Sequence, residues 1–167
     1  MKRLFAIAIL ALALTGCILP PGLRVYVSDT GCTPDASYCA GHPANYYDPV
    51  SRTVVLAPGQ GLSTIVHELC HARQHEVVLE ALGREPDVAL TQWYLTNEAT
   101  AFIAATGWVP DGGWDEHGPT FYPLPLPDGL GLWAFNPLED SAGACAHYLL
   151  GQPQEAAREQ WAETWVR

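Results

Sequence analysis

Lysine occurs once in the 167-residue sequence, at position 2, and eight basic residues stand against eighteen acidic ones. The formal net charge of −10 leaves no basic footprint of the kind that a phosphate backbone requires, so no nucleic-acid partner is expected. Charged residues are scarce at 16%, against about a quarter in ordinary domains. With 49% hydrophobic residues, such a chain can bury a core, and compositional disorder is excluded. No apolar run reaches the ~20 residues of a membrane-spanning helix. No internal repeat is visible. The length fits one domain. What is abundant is turn-forming: 15 glycines and 14 prolines predict long loops. Cysteine is present five times, an odd count that needs a separate use for one thiol.

The N-terminus supplies that use. Lys2 and Arg3 form a short positive segment, Leu4 to Leu14 form an uninterrupted apolar run, and Leu14-Thr15-Gly16-Cys17 follows. The run is short for a membrane span and suits the core of an export signal. Its ending resembles the lipobox of bacterial lipoproteins, Leu-x-Gly-Cys. The resemblance implies a signal peptide over residues 1–16, cleavage before Cys17, lipid on the Cys17 thiol, and an anchor without a spanning helix. Ile18 is not the Asp that often marks inner-membrane retention, so the expected location is the cell envelope outside the cytoplasm, on the outer membrane or cell surface. Removing 16 of the 167 residues leaves 151; losing Lys2 and Arg3 leaves six basic residues against eighteen acidic ones, a balance of −12. Cys32, Cys39, Cys70 and Cys145 remain, an even set that reads as two disulfides in an oxidising compartment. Three pairings are open. Cys32–Cys39 would close a short loop, and Cys70–Cys145 would then join two helices. Zinc held by these thiols has little support, because Cys-x6-Cys matches no common finger spacing.

Residues 17–24 form a Pro/Gly tether, and a single domain is expected over 25–167. Arg24–Val27 and Thr53–Leu56 read as strands from their β-branched and aromatic content, either a hairpin or neighbours in a sheet. A helix is predicted over Leu62–Leu82, capped by Gly61 or Ser63 and ended by Gly83, with Leu62, Ile65, Leu69 and Ala72 on its core face. A second is predicted from Asp87 to Thr106, with Gly107 as its stop. Residues 107–137, rich in proline, glycine and tryptophan, read as a long aromatic loop, a class that tends to be functional. A third helix starts at Asn136-Pro137-Leu138-Glu139, a variant capping box, and reaches about Leu150. The last runs from Gln154 to Trp165.

The chemistry-bearing motif is His67-Glu68-Leu69-Cys70-His71. Histidines four apart on a helix differ by about 40° in azimuth and about 6 Å in rise, so both imidazoles can reach one ion. Glu68, about 100° from His67, sits at the rim of that face, where a carboxylate can take a proton from water without occupying the metal. The pattern matches H-E-x-x-H, and with a β-rich segment before it the chain resembles the zincin metallopeptidases. The resemblance implies zinc held by His67 and His71, Glu68 as general base, and hydrolysis of peptide bonds.

Catalytic zinc usually has three protein ligands and one open position. Metzincins take the third from a His six residues after the second; that position is Val77 here, which excludes them. His75 comes too early and is expected to be exposed or to support the ligands from behind. Glu98, in Thr96-Asn97-Glu98-Ala99, shares its predicted helical face with Tyr94, Ala101, Phe102 and Ala105, where a carboxylate is costly unless bound. This arrangement resembles the gluzincins, whose third ligand is a Glu on the helix after the motif, and it makes Glu98 the favoured ligand. Glu139 is the alternative. Glu139-Asp140-Ser141-Ala142-Gly143 resembles the Glu-Asp-x-Ala-Glu segment of some compact zinc peptidases, but its last Glu is Gly143 here, and Glu139 has a structural task in its cap.

Gluzincins often stabilise the oxyanion with a Tyr or His, and Tyr122, His117, His147 and Tyr148 are candidates. Thr53–Leu56 could add an extended substrate to the sheet, and Trp108, Trp114, Phe121, Tyr122 and Trp133 could wall the cleft. The expectation is an α+β, compact zincin-like lobe with a small twisted sheet packed on the motif helix. Its expected function is a membrane-anchored zinc peptidase acting on peptide or protein substrates. The alternatives are a non-catalytic surface lipoprotein serving as a binding module with a structural metal, and hydrolysis of another amide such as a cell-wall peptide.

Overall fold

The computed structural model describes residues 20–83, 90–115, 118–122 and 136–166. The signal segment, Cys17, Asp87, His117 and Trp133 lie outside the described residues. The architecture is α+β.

A three-stranded sheet is built from β1 (Arg24–Val27), β2 (Tyr46–Asp48) and β3 (Thr53–Leu56), in the order β1-β3-β2. All four residues of β3 are buried, which suits the apolar, β-branched Val54 and Val55 of a central strand. β1 pairs with β3 in parallel and β2 pairs with it antiparallel. Of the two arrangements left open for the predicted strands, they are parallel neighbours and not a hairpin. One expectation is corrected: β3 has partners on both sides, so it has no free edge to accept a substrate. β2 is joined to β3 by a turn over 49–52, held by the buried Asp48. Its carboxylate accepts hydrogen bonds from the Val50 N–H (3.1 Å), the Ser51 hydroxyl (2.7 Å), the Ser37 hydroxyl (2.8 Å) and the Ser37 N–H.

Helix α1 spans Leu62–Leu82, with Gly61 at its N-cap and Gly83 at its C-cap, as the sequence predicts. Gly83 takes φ 66° and donates its N–H to the Leu79 carbonyl, the left-handed stop that glycine adopts without a Cβ clash. The helix is more central than its apolar spacing suggests. Leu69 and Ala72 are buried, but Leu62 is 49% exposed, and the polar His67, Glu68, His71, Gln74 and His75 are buried too. Buried polar groups need partners. His75 finds one in the sheet: its Nδ1 lies 2.8 Å from the Tyr47 hydroxyl on β2. It is neither exposed nor one of the grouped ligands described below; it ties α1 to the strands.

The predicted helix from Asp87 to Thr106 is two pieces: a 3-10 helix over Leu90–Leu95, then α2 over Asn97–Thr106. Thr96 caps α2, its side chain accepting from the Ala99 N–H at 3.2 Å, and Gly107 ends it at φ 78°. Trp93 and Phe102 are fully buried, and Phe102 meets Trp161 edge-on at 4.7 Å between ring centroids. The region expected to be structureless contains an antiparallel pair, β4 (Pro110–Asp115) and β5 (Gly118–Phe121). α3 spans Pro137–Leu149 and α4 spans Ala156–Val166.

Cys32 pairs with Cys39, and Cys70 with Cys145. The second bridge joins α1 to α3 across a Cα–Cα distance of 6.2 Å, and the bonded thiols are not available to a metal. No helix among the described residues is long and apolar enough to cross a membrane.

Candidate metal centre

α1 and α3 lie side by side, and the centre forms between them. His67 and His71, one turn apart on α1, turn their Nε2 atoms to within 3.2 Å of each other. Glu139 reaches them from the first turn of α3. Its Oε2 lies 3.2 Å from His67 Nε2 and 3.4 Å from His71 Nε2. The three ligand atoms lie within 4.8 Å of one another, and the group could hold a metal ion. Two imidazole nitrogens and a carboxylate oxygen are a donor set that zinc accepts. The histidines are buried, while the Glu139 side chain is 35% exposed, so the group opens towards solvent on the α3 side.

The local sequence explains how Glu139 arrives. Asn136 adopts extended backbone and accepts the Glu139 N–H on its side chain at 3.0 Å, with Pro137 at the first helical position. The cap therefore uses the backbone of Glu139 and leaves its carboxylate for the histidines. A different side of the same turn is anchored separately. Asp140 accepts from Arg158 Nε (2.8 Å), Arg158 Nη2 (2.7 Å) and the Trp108 indole (2.8 Å), all buried.

The charges are mutually adjusted. Burial alone pulls the His71 imidazolium down, but the Glu139 charge and hydrogen bond, the Glu68 charge and the Gln74 hydrogen bond outweigh it and hold His71 at about 9. Burial pushes the Glu139 carboxyl up, yet the His71 charge and hydrogen bonds from His67 and His71 keep it well below the ordinary carboxylate range. Glu68 behaves differently. Burial raises it, and the pull of His71 and His67 does not fully offset that rise. Two carboxylates beside one pair of histidines are thus driven apart, one towards permanent ionisation and one towards proton exchange.

No protein family, curated protein or solved structure matches this chain.

The site therefore rests on its own geometry. Of the candidates read from sequence, His67, His71 and the alternative Glu139 come together, with Glu68 buried beside them. Glu98, the favoured third ligand, is not in the group. The helix begins only at Asn97, which places Glu98 in its first turn, and Ala101 and Ala105 on the supposed apolar face are exposed. A half-buried Glu98 on that face needs no metal. His147 and Tyr148 stand at the far end of α3, roughly 12 Å along the helix from Glu139, and His147 Nδ1 lies 3.3 Å from the Pro153 carbonyl. Tyr122 is 59% exposed beyond β5.

Two residues near the centre were not singled out from the sequence. Gln74 links α1 to α3 beneath His71. Tyr94 stands over the start of α3, its hydroxyl 3.4 Å from both the Leu138 N–H and Asn136 Oδ1. Burial raises the Tyr94 hydroxyl well above its ordinary value, and the Glu139 charge adds to that rise. The would-be Cβ of Gly118 lies 3.0 Å from the Tyr94 ring, and Phe121 stacks on it at 5.7 Å, so the β4–β5 hairpin flanks the mouth of the centre. Only the helical spacing of Tyr94 from Glu98 could have signalled it.

Proposed function

We propose that the protein is a zinc-dependent peptidase that works from the outer face of a membrane, anchored through lipid on Cys17. The observation that supports the catalytic reading is the convergence of His67, His71 and Glu139 beside a buried Glu68 of raised proton affinity. Zinc at such a site supplies a polarised carbonyl and a water that deprotonates near neutral pH. The chain's own residues do the rest. Glu68 accepts the proton of the attacking water and delivers it to the leaving amine, a role suited to a carboxyl displaced upward from its ordinary range. His67, His71 and Glu139 would hold the ion as its protein ligands, with the half-exposed Glu139 on the solvent side. The hairpin carrying Trp114 and the Tyr94–Phe121 stack line the approach and would contact substrate residues flanking the scissile bond.

The test is metal content and cleavage measured together. Purified wild-type protein should hold stoichiometric zinc and cleave members of an unstructured peptide library. Glu68→Gln should keep the zinc and lose cleavage by several orders of magnitude. Absence of stoichiometric metal, or full activity in Glu68→Gln, would overturn the reading. Fatty-acid labelling that disappears in Cys17→Ser tests the anchor; label retained in that variant would remove it.

A further inference from the structure

We infer that Gln74 is the positioning residue of the metal centre: one buried amide decides which nitrogen of His71 faces the ion and seats the turn that carries Glu139. The inference rests on reading His67, His71 and Glu139 as metal ligands. Gln74 is fully buried on α1, three residues beyond His71. Its Nε2 donates to the Leu138 carbonyl at 2.9 Å and to the Ser141 hydroxyl at 2.7 Å. Its Oε1 lies 2.7 Å from His71 Nδ1.

These contacts leave the amide no choice of orientation. The Leu138 carbonyl can only accept, so the amide nitrogen must face it. Ser141 gives its own proton to the same carbonyl at 3.0 Å, so its oxygen is available to accept from Gln74. The amide oxygen then faces His71, and because it too only accepts, the proton must sit on His71 Nδ1. His71 Nε2 is left facing His67 and Glu139, where it donates to Glu139 in the ion-free fold; in the neutral imidazole the same atom offers its lone pair to a metal. With the amide flipped, Oε1 would oppose the Leu138 carbonyl, two acceptors facing each other in a fully buried seam. His71 would then carry its proton on Nε2, where the ion belongs. A backbone carbonyl on α3 thus dictates the ligand form of a histidine on α1. The anchored carbonyl belongs to the residue before Glu139, so the same side chain holds both helices in register at the site.

The test compares Gln74→Met, which keeps length without polarity, with Ser141→Ala, which trims the same helix seam without touching His71. Gln74→Met should lower zinc affinity about 10–100-fold, the range typical of outer partners of metal ligands, and Ser141→Ala by less than about threefold. A readout independent of the metal is the His71 Nδ1 proton in 1H–15N spectra of the zinc-free protein. It should appear downfield and exchange slowly in wild type and in Ser141→Ala, and exchange rapidly in Gln74→Met. Equal losses of affinity in the two variants, or an unprotected Nδ1 proton in wild type, would overturn the inference, and the wild-type measurement decides even if Gln74→Met fails to fold. Should wild type bind no zinc while its Nδ1 proton is protected, the functional reading falls and the positioning of His71 by Gln74 stands.

Discussion

Glu139 and Asp140 are neighbours in the chain and serve different sides of one helix. Glu139 Oε2 sits 3.2 Å from His67 Nε2, whereas both Asp140 oxygens are held by Arg158. The 100° step of the α-helix separates a group that can meet a metal from a group that fastens the helix to α4.

This division predicts separable phenotypes. Glu139→Gln should lower zinc affinity at least ~100-fold, beyond the effect of losing an outer partner, and should also lower the unfolding midpoint of the zinc-free protein near neutral pH, because His71 loses the charge that holds it protonated. Asp140→Asn should destabilise the fold, because buried Arg158 then keeps only Glu155 as an anionic partner, while folded molecules retain their zinc affinity. Glu98→Ala should change neither. Competitive chelator titration and urea unfolding on the three variants check all of this.

The choice between Glu98 and Glu139 shows where the sequence was legible and where it was not. Helix α1 could be read to the residue, because Gly61 and Gly83 mark both ends and the His67–His71 spacing fixes its active face. Both disulfides lay within the readable set, as did the start of α3 at Asn136-Pro137. The break at Thr96 was hidden: Leu90–Leu95 carries apolar residues compatible with α-helical spacing, yet it winds as a 3-10 turn with Trp93 fully buried. That break puts Tyr94 on a separate turn and leaves Glu98 at the start of a short helix, on a face where Ala101 and Ala105 are exposed. Glu139 ranks second in the sequence because Gly143 departs from the resembled segment and the cap gives Glu139 a structural task, yet that cap uses only its backbone N–H. Gln74 was invisible because its value depends on a carbonyl 64 residues away.

The Cys70–Cys145 bridge should support the centre as well as the fold. Replacing both cysteines by alanine should cost ~2–5 kcal/mol of stability and weaken zinc binding, because the bridge joins the residue beside His71 to the helix of Glu139. The Cys32/Cys39 double variant should leave zinc affinity unchanged. Denaturation and zinc titration of the two double variants discriminate these outcomes.

Acid sensitivity should be traceable to Asp48. Burial works against its ionisation, but hydrogen bonds from Ser51, Ser37 and Val50 prevail and lower its pKa in the folded state. A carboxyl lowered on folding contributes stability above its unfolded value, near pH 4, and that contribution fades as pH falls through the folded value. Asp48→Asn should therefore be less stable than wild type at pH 6, and the gap should narrow steadily from pH 4 to pH 2. Urea midpoints across that range provide the check.

Trp114 is 70% exposed on a strand whose six residues all face solvent, so it contributes little to the core. Trp114→Ala should leave the melting temperature within about 2 °C, consistent with the small effects of surface substitutions. If the hairpin contacts substrate, the same change should raise KM several-fold with kcat nearly constant, the signature of lost uniform binding. Steady-state kinetics on a cleaved peptide measures it.

The sequence separation of 72 between His67 and Glu139 also sets the order of assembly. An unfolded chain can offer an ion the two histidines of one nascent helix, but the carboxylate arrives only when the last third of the chain has docked. Small zinc domains use metal to nucleate folding; an ion held by all three of these residues would instead be a late passenger, captured once the scaffold has closed around its seat.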